Sequence, residues 1–265
     1  MLVKLGDLKL KRPYLLFLKI NMLEVVSLGE ILVEIMRKRR DVPHNQVGEY
    51  LGPFPSGAPA IFADAAARLG LKVGFIGVVG DDDFGHMVLN RLREDGVDVK
   101  YVRVLPGYTT GTAFVMYYST GERKFIFHLR HAAAGQLSPE DIDPDYIRSA
   151  KVLHVMGSAL AVSESSREAV YKAVEIASEA GVTISFDPNL RPELLGVEKI
   201  REICKPVIEH VQIFLPSRGE IKPFAGVDDP REAALKVFEK GVNIVVVKMG
   251  SEGSLAVTKD GVTHI

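Results

Sequence analysis

A single cysteine and the lack of any long apolar run set the first limits on this chain. Cys204 has no partner for a disulfide within the chain, and its helical surroundings favour a packed thiol and a reducing compartment such as the cytoplasm. No apolar run approaches the roughly 20 residues that span a bilayer. The 33 basic and 34 acidic residues leave a formal charge of −1, so neither nucleic acid nor a membrane is an expected partner.

Common nucleotide-binding and targeting patterns are missing as well. The sequence has no Walker A string, and the glycines at 74, 77 and 80 fall inside an expected strand, not in a dinucleotide fingerprint. Near the N-terminus a basic stretch precedes an apolar one, but Lys19 interrupts the latter and no small-residue cleavage site follows. We interpret 1–21 as an N-terminal extension, or an upstream misassigned start, and 22–265 as the folded domain.

The sequence does have a regular alternation of apolar β-type runs and amphipathic helices. We expect strands at 25–35, 73–79, 151–156, 182–186, 211–215 and 243–248, and helices at 60–69, 84–94, 164–180, 197–209 and 230–240. Two further β-rich runs, 112–118 and 123–129, predict an antiparallel hairpin. Strands separated by helices favour an α/β fold with a mostly parallel central sheet flanked by helices.

Residues 52–85 join a small-residue loop to an Ala-rich helix and a strand. Ser56, Gly57 and Ala58 have almost no side chain, and Pro59 suits the first turn of a helix. Such a loop lets a polar ligand approach backbone N–H groups at a helix N-terminus. A tight connection between strand and helix explains the same residues, so the loop alone leaves both interpretations open.

The whole segment, GPFPSGAPAIFADAAARLGLKVGFIGVVGDDDFG, resembles the substrate-binding signature of the ribokinase/PfkB family of sugar kinases. Two positions differ: Ser56 replaces the first glycine of the signature, and Ile61 stands at its asparagine. The resemblance implies that Gly57 and Ala58 lie against the sugar.

The resemblance covers about 22–265 and has consequences for the fold, the cofactors and the partners. It implies a ribokinase-like fold with a small β lid, whose strands are drawn from about 30–50 and 97–130. It also implies ATP and Mg²⁺ as cofactors, a small sugar or sugar acid as substrate, and pairing of two lid sheets in a homodimer.

Two motifs follow expected strands, at the sheet edge where open α/β sheets bind ligands. FDPNLRP resembles the family's Asp-Pro-Asn-x-Arg motif, which implies that Asp187 and Asn189 lie at the cofactor and that Arg191 supports catalysis and binds substrate. FLPSRGEI resembles its Asn-x-x-Glu motif, with Ser217 replacing the asparagine, and the resemblance implies that Ser217 lies at the cofactor. Glu220 is then expected to organise Mg²⁺ through water. For FDPNLRP the alternative is a plain turn, and for Glu220 it is a solvated surface acid.

The segment VVVKMGSEGSLAV resembles the family's nucleotide-binding strand and turn. Lys248, Gly250, Ser251 and Gly253 match positions that lie along ATP in the family. Glycines permit close approach of a ligand to the backbone, although a plain hairpin turn explains them equally well.

The expected lid hairpin supplies the remaining candidates for sugar binding. HLRHAAAG resembles the segment of the 2-keto-3-deoxygluconate kinase branch that carries an arginine toward the substrate carboxylate, here Arg130, with His128 beside it. A charged hairpin end is the alternative. Glu34 lies where related kinases place a hydroxyl-binding acid. Arg130 and Arg191 together predict 2-keto-3-deoxygluconate as substrate, with fructose, ribose or a nucleoside as alternatives.

One motif of the resembled family is not found. The family has an Asp-Thr-x-Gly-Ala-Gly-Asp segment that forms an anion hole and supplies the general base, and these 265 residues contain no such string. Loss of a general base typically costs about 10²–10⁴-fold in rate. We therefore expect a C-terminally truncated kinase scaffold of doubtful activity, without an assigned catalytic base. A catalytically inactive sugar- or nucleotide-binding protein, or the product of a disrupted kinase gene, is the alternative.

Overall fold

The computed structural model describes residues 22–265, which form a nine-stranded sheet and a separate four-stranded sheet. The strands are β1 (Leu23–Leu28), β2 (Leu32–Arg37), β3 (Tyr50–Ser56), β4 (Val73–Gly80), β5 (Asp98–Leu105), β6 (Gly111–Tyr117), β7 (Arg123–His128), β8 (Ala150–Met156), β9 (Thr183–Asp187), β10 (Ile213–Phe214), β11 (Ile244–Lys248), β12 (Ser254–Thr258) and β13 (Gly261–His264). The helices are α1 (Ala58–Arg68), α2 (Asp83–Glu94), α3 (Pro144–Arg148), α4 (Gly157–Val162), α5 (Glu164–Ala180), α6 (Val197–Ile208), α7 (Arg218–Ala225) and α8 (Pro230–Glu239). The extension proposed for 1–21 lies outside the described residues.

The central sheet confirms the expected α/β architecture. Its strand order is β13-β12-β11-β10-β9-β8-β1-β4-β5, and every neighbouring pair from β5 to β11 is parallel. An antiparallel hairpin of β12 and β13 extends one edge. The carboxyl ends of the parallel strands therefore meet along one edge of the sheet, where ligands of open α/β sheets bind.

Helices cover the two faces of the central sheet unequally. One face packs in a continuous apolar core with α5, α6 and α8, including Val245 and Val247 of β11. On the other face, α1 and α2 pack mainly over β1, β4 and β5. Beyond them, Ile213, Ile244 and Val246 are only partly buried. The second face is thus less covered from β10 toward the hairpin edge.

The smaller sheet, in the order β3-β2-β6-β7, forms the lid. Its hairpin of β6 and β7 confirms the antiparallel pair expected from the sequence. The single strand expected at 25–35 is wrong, because Gly29, at φ +142°, separates β1 of the central sheet from β2 of the lid. A Cβ at Gly29 would lie 2.7 Å from Cγ of Pro59, so α1 crosses at this point. Within the range 97–130 expected for the lid, β5 instead joins the edge of the central sheet.

Two sequence-based expectations about single elements can be checked here. Cys204 is fully buried on α6, where burial raises the pKa of its thiol to about 12, which confirms a packed, unreactive cysteine. Within residues 22–265 we find no helix that combines the length and the apolar character needed to cross a bilayer.

Candidate active site

A cleft of about 100 Å³ lies between the lid sheet and the elements at the carboxyl ends of the central strands. Its lining combines two acids, two arginines and a mostly apolar wall. The lining residues that matter below are Glu30, Glu34, Ser56, Gly57, Ala58, Ile61, Ala113, Arg123, Phe125, Phe127, Ser158 and Arg191. The expected residues Glu34, Gly57, Ala58 and Arg191 are therefore brought together in one cleft.

The loop before α1 is shaped by a glycine that no other residue could replace without strain. Gly57 has φ +108°, and a Cβ there would overlap the carbonyl oxygen of Glu30. As the N-cap residue of α1, Gly57 has no side chain to cap the helix. The Ala58 N–H instead lies beside the carboxyl group of Glu30 and helps to stabilise its ionised form. The small-residue loop thus places a helix N-terminus and a buried acid side by side in the cleft.

Both acids of the cleft are held in protein surroundings that disfavour their charge. Burial raises the pKa of Glu30 to about 7, although the Ser158 hydroxyl, nearby backbone N–H groups and Arg191 oppose the shift. Its Oε2 atom is buried without a hydrogen-bond partner. Burial also raises the pKa of half-buried Glu34. The charge of Arg123 and a hydrogen bond with the Ser56 hydroxyl oppose this shift. Two carboxyl groups facing a cleft are suitable acceptors for sugar hydroxyls.

The structure does not bring His128 or Arg130 to this cleft, although the sequence analysis assigned both to sugar binding. Side chains alternate along β7, and the His128 ring lies on the far face of the lid, edge-on to Phe114 with centroids 5.8 Å apart. Arg130 follows the strand, and its exposed side chain is not part of the cleft lining. The second arginine of the cleft is instead Arg123, on the same face of β7 as Phe125.

The loop after β9 connects this cleft to the edge of the central sheet. Asp187 is buried at the end of β9 and forms an ion pair with Nζ of Lys248. Burial raises the pKa of Asp187, and the charge of Lys248 opposes that shift. The backbone N–H of Asn189 donates to Asp187 Oδ1 at 3.1 Å, and its side-chain amide donates to the Ser158 hydroxyl at 3.2 Å. Asp187 and Asn189 thus join Lys248 to a residue of the sugar cleft.

Glu220 has a structural task that the sequence analysis did not foresee. Its Oε1 accepts a hydrogen bond from the Leu190 N–H, and its Oε2 accepts one from the Ser217 N–H, both at 2.8 Å. With Ser217 it forms a capping box at the start of α7. Glu220 therefore fixes the loop before Arg191 relative to α7.

These carboxylates also fit the Mg²⁺ ion that the family resemblance implies. Within the described part of the chain, no three His, Cys, Asp or Glu side chains cluster as a metal site. Mg²⁺, however, is usually held by one or two carboxylates together with water and substrate phosphates. Asp187 and Glu220 meet that pattern, since the charge of Glu220 is close enough to raise the pKa of Asp187.

The expected nucleotide-binding residues lie together beyond the end of β11. Lys248 ends that strand, and its backbone N–H donates to the Pro216 carbonyl at 2.8 Å, directly before α7. Gly250 and Gly253 adopt φ +61° and +81° in the turn to β12, and Ser251 is exposed between them. This turn and the N-terminus of α7 form an open edge next to Asp187.

Sequence reasoning missed three polar residues of the cleft: Glu30, Arg123 and Ser158. The alternation of β7 contained a signal for Arg123, because residues 123, 125 and 127 must share one face of a strand and His128 must take the other. Ser158 gave no comparable signal, since it lies on the short helix α4, which the sequence pattern did not predict.

The fold and the site define a class of protein. A mostly parallel sheet with a lid over a polar cleft, next to a lysine-bearing turn, is the ribokinase-like arrangement. Residues 22–265 match the model of the pfkB family carbohydrate kinases, and the chain belongs to this family.

Its relatives include kinases of several sugars. The chain is 36% identical over 240 residues to probable fructokinase-2 of Arabidopsis thaliana, covering 89% of this chain and 72% of that protein. It is 32% identical to 5-dehydro-2-deoxygluconokinase of Geobacillus kaustophilus (strain HTA426), covering 92% and 74%. Among solved structures, a putative ribokinase II from E. coli in complex with ATP and Mg²⁺ superposes with a TM-score of 0.84 at 40% identity, covering 92% of this chain and 78% of that one.

Proposed function

We propose that this chain binds ATP with Mg²⁺ beside a keto sugar and forms the scaffold of an ATP-dependent sugar kinase. One observation carries the proposal: the end of β9 and the loop that follows it contact both sites. Asn189 donates to Ser158 at the sugar cleft, while Asp187 pairs with Lys248 at the nucleotide edge. A single loop that contacts both sites suits transfer of a phosphoryl group between them.

In the proposed reaction, the terminal phosphorus of ATP leaves the bridging oxygen of ADP and bonds to a sugar hydroxyl oxygen. In this proposal Lys248 and Arg191 stabilise negative charge on the phosphates, and Glu34 orients the sugar. Bound Mg²⁺ would neutralise phosphate charge near Asp187 and Glu220. Among these 265 residues we assign no base, and in the proposed step the hydroxyl proton passes to solvent water.

For the substrate we propose a neutral ketohexose such as fructose. Glu30 and Glu34 offer hydroxyl acceptors, and the similar fructokinases are consistent with this choice. A keto-sugar acid, 2-keto-3-deoxygluconate, is the second candidate, favoured by the two arginines in the cleft. If the substrate is this acid, we expect Arg123, in place of Arg130, to bind it together with Arg191.

A second function also has specific support. Ile61 and Ser217 replace the family's asparagines, which favours an inactive sugar- or nucleotide-binding protein. We further propose, from the family resemblance, a cytoplasmic protein whose lid sheets pair in a homodimer.

Isothermal titration of the 265-residue chain, together with assays of ADP release, tests these proposals. We expect fructose to bind, and Arg191→Ala and Arg123→Ala to weaken binding more than tenfold. Arg130→Ala is the matched control, because Arg130 lies outside the cleft. Sugar-dependent ADP release would exclude the inactive alternative. Loss of binding in Arg130→Ala but not in Arg123→Ala would overturn the assignment of the cleft. Tighter binding of 2-keto-3-deoxygluconate than of fructose would favour the acid.

A further inference from the structure

A pocket of about 420 Å³ lies between α6, α7 and α8, far from the sugar cleft along the strands of the central sheet. Val211 and Gln212, which lead into β10, and Val242, which leads into β11, are part of its lining. The pocket therefore lies at the amino ends of these strands, whereas the sugar cleft lies at the carboxyl ends, and the two cavities have no lining residue in common. Its volume is within the roughly 300–1,000 Å³ of small-molecule sites.

Much of the lining of this pocket is apolar. Phe214 and Val237 are buried in it, and Phe224 packs edge-on against Phe214 with ring centroids 5.5 Å apart. Phe224 and Ile208 themselves are only partly buried, so hydrocarbon surface remains accessible there. A ligand with a hydrocarbon part can cover this surface, and each methylene group that it buries strengthens binding by at most about fourfold.

Three basic side chains line the same pocket: Arg201 and Lys205 from α6, and Lys240 directly after α8. Arg201 and Lys205 are four residues apart, so they project from the same side of the helix. Within residues 22–265 neither of them forms an ion pair. Lys240 Nζ donates to the Phe224 carbonyl at 3.2 Å, which holds its charge next to the apolar wall. Cations without acidic partners, beside hydrocarbon, favour a ligand that joins an anionic group to an apolar one.

The other polar residues of the lining do not cancel this positive charge. Gln212 is already engaged, since its Oε1 accepts from the Ile184 N–H at 2.7 Å and its Nε2 donates to the His210 carbonyl at 2.8 Å. Glu209 is the one acid among the lining residues, and it lies four residues beyond Lys205, so it can offset a single cation. A dianionic phosphate would be repelled by Glu209 more strongly than a carboxylate with one charge. The lining therefore favours a carboxylate as the anionic group.

We propose that this pocket binds a small monocarboxylate with a hydrocarbon tail. The tail covers the accessible surface of Phe224 and Ile208, and the carboxylate head pairs with Arg201 and Lys205. A guanidinium group suits this head, because its planar fork can donate two parallel hydrogen bonds to the carboxylate oxygens. The proposal does not depend on the sugar kinase function, because the pocket and the sugar cleft are lined by different residues.

Titration calorimetry of the 265-residue chain with matched ligands tests this site. Butyrate, hexanoate and octanoate share one head and differ in tail length, and we expect octanoate to bind at least about tenfold more tightly than butyrate. Octanamide and octylamine keep the length of the tail but replace the carboxylate by a neutral or a positive group. We expect octanoate to bind at least about threefold more tightly than octanamide, and octylamine to bind most weakly of the three.

A pair of double variants locates the charge preference. Arg201→Gln with Lys205→Gln should bring the ratio of octanoate to octanamide affinity close to one, while octanamide itself binds nearly as before. Lys199→Gln with Arg231→Gln is the matched control, because it removes two positive charges from the same helices, α6 and α8, outside the pocket. This control should leave the ratio as it is in the wild type.

A filling variant locates the tail. Ile208→Trp narrows the pocket from α6 and should weaken octanoate and octanamide together, by at least about fivefold. Leu235→Trp, an equally large change on the exposed side of α8, should leave both affinities unchanged. Urea denaturation shows that each variant is folded, and if Ile208→Trp does not fold, the ligand series and the charge variants still decide.

Four results would overturn the site. The first is that octanoate does not bind the wild type, and the second is that octanamide or octylamine binds as tightly as octanoate. The third is a preference for octanoate that survives loss of Arg201 and Lys205 but not the control pair, since the anion would then bind elsewhere. The fourth is octyl phosphate binding more tightly than octanoate, which would overturn the choice of a carboxylate. Each of these results leaves the sugar kinase proposal unaffected, because fructose binding is measured separately.

Discussion

At the scale of single residues, Gly57 is the clearest case of a position fixed by backbone geometry. Gly57→Ala should destabilise the fold by about 3 kcal/mol and weaken sugar binding, because its Cβ would overlap the Glu30 carbonyl in a strained conformation. Gly70→Ala is the matched control: Gly70 also has a positive φ, +96°, but open space surrounds it, so only about 1 kcal/mol should be lost. Urea denaturation measures both. Equal losses of unfolding free energy in the two variants would contradict the close contact between Gly57 and the Glu30 carbonyl.

Glu30 should make stability depend on pH in a direction that its burial dictates. Its pKa of about 7 in the folded state lies above the unfolded value of 4.5, so the folded state binds the proton more tightly. Stability should therefore fall by about 3 kcal/mol as pH rises from 4.5 through 7. Glu30→Gln should remove most of this fall in urea denaturation at pH 4.5, 6 and 8. Glu24→Gln, which removes a partly buried acid of β1 that pairs with Lys151, should retain it. Parallel pH profiles of the wild type and Glu30→Gln would contradict the assignment.

At the scale of elements, Asp82 joins the start of α2 to the beginning of the lid hairpin. Its Oδ1 accepts hydrogen bonds from the Gly85 N–H at 2.8 Å and the Thr110 hydroxyl at 2.6 Å, and its Oδ2 accepts one from the Thr110 N–H at 2.7 Å. Burial alone would raise the pKa of Asp82, but these hydrogen bonds outweigh it and hold the pKa below its usual value. The ionised carboxylate is therefore the stabilising form.

Asp82→Ala should destabilise the fold by about 1–3 kcal/mol at pH 7, because a helix cap and two contacts to the lid are lost together. The contribution should be fully present above the unfolded pKa and disappear as pH falls through the lower folded pKa, so wild type and variant converge in acid. Asp145→Ala removes an exposed ion pair with Arg148 and should cost under about 0.5 kcal/mol. Chemical denaturation at pH 7 and pH 3 measures the difference in unfolding free energy between the wild type and Asp82→Ala. A constant difference at both pH values would exclude a contribution from the charge.

Sequence patterns predicted an element wherever local signals marked both of its ends. Helix α5 has the predicted bounds, 164–180, because the Ser163 hydroxyl caps its start and Gly181 ends it in the left-handed conformation. Strand β3 was missed because its sequence, YLGPFPS, contains two prolines and a glycine, which are unfavourable in a strand except at a sheet edge. The edge position comes from pairing with β2 in three dimensions, and no local pattern encodes it.

In the candidate site, too, residues with a local sequence signal were predicted, and residues that depend on three-dimensional pairing were not. Asp187, Asn189 and Lys248 could be placed from sequence, since parallel strands carry their loops to one edge of the sheet. Which lid residues reach the cleft depends on which face of β7 points inward. The sequence motif does not indicate that face, and it selected His128 instead of Arg123. Burial of Glu30 follows from the break at Gly29, which was not anticipated.

At the scale of the whole molecule, the two faces of the central sheet differ in their protection. Along β11, Val245 and Val247 are fully buried, whereas Ile244 and Val246 on the opposite face are only partly covered. Apolar side chains that remain accessible on a central sheet provide a surface for association with other polypeptides or with a second copy of the chain.

Neighbouring lysine substitutions can establish whether this face is open in solution. Val245→Lys places a charge in the apolar core and should cost more than about 3 kcal/mol or prevent folding. Val246→Lys, one residue further along the same strand, should cost less than about 1 kcal/mol, because its ammonium group can reach water from the uncovered face. Guanidinium denaturation followed by circular dichroism gives both values, and size-exclusion chromatography gives the association state. A comparable loss at both positions, with a change in association for Val246→Lys, would mean that another polypeptide surface covers this face in solution.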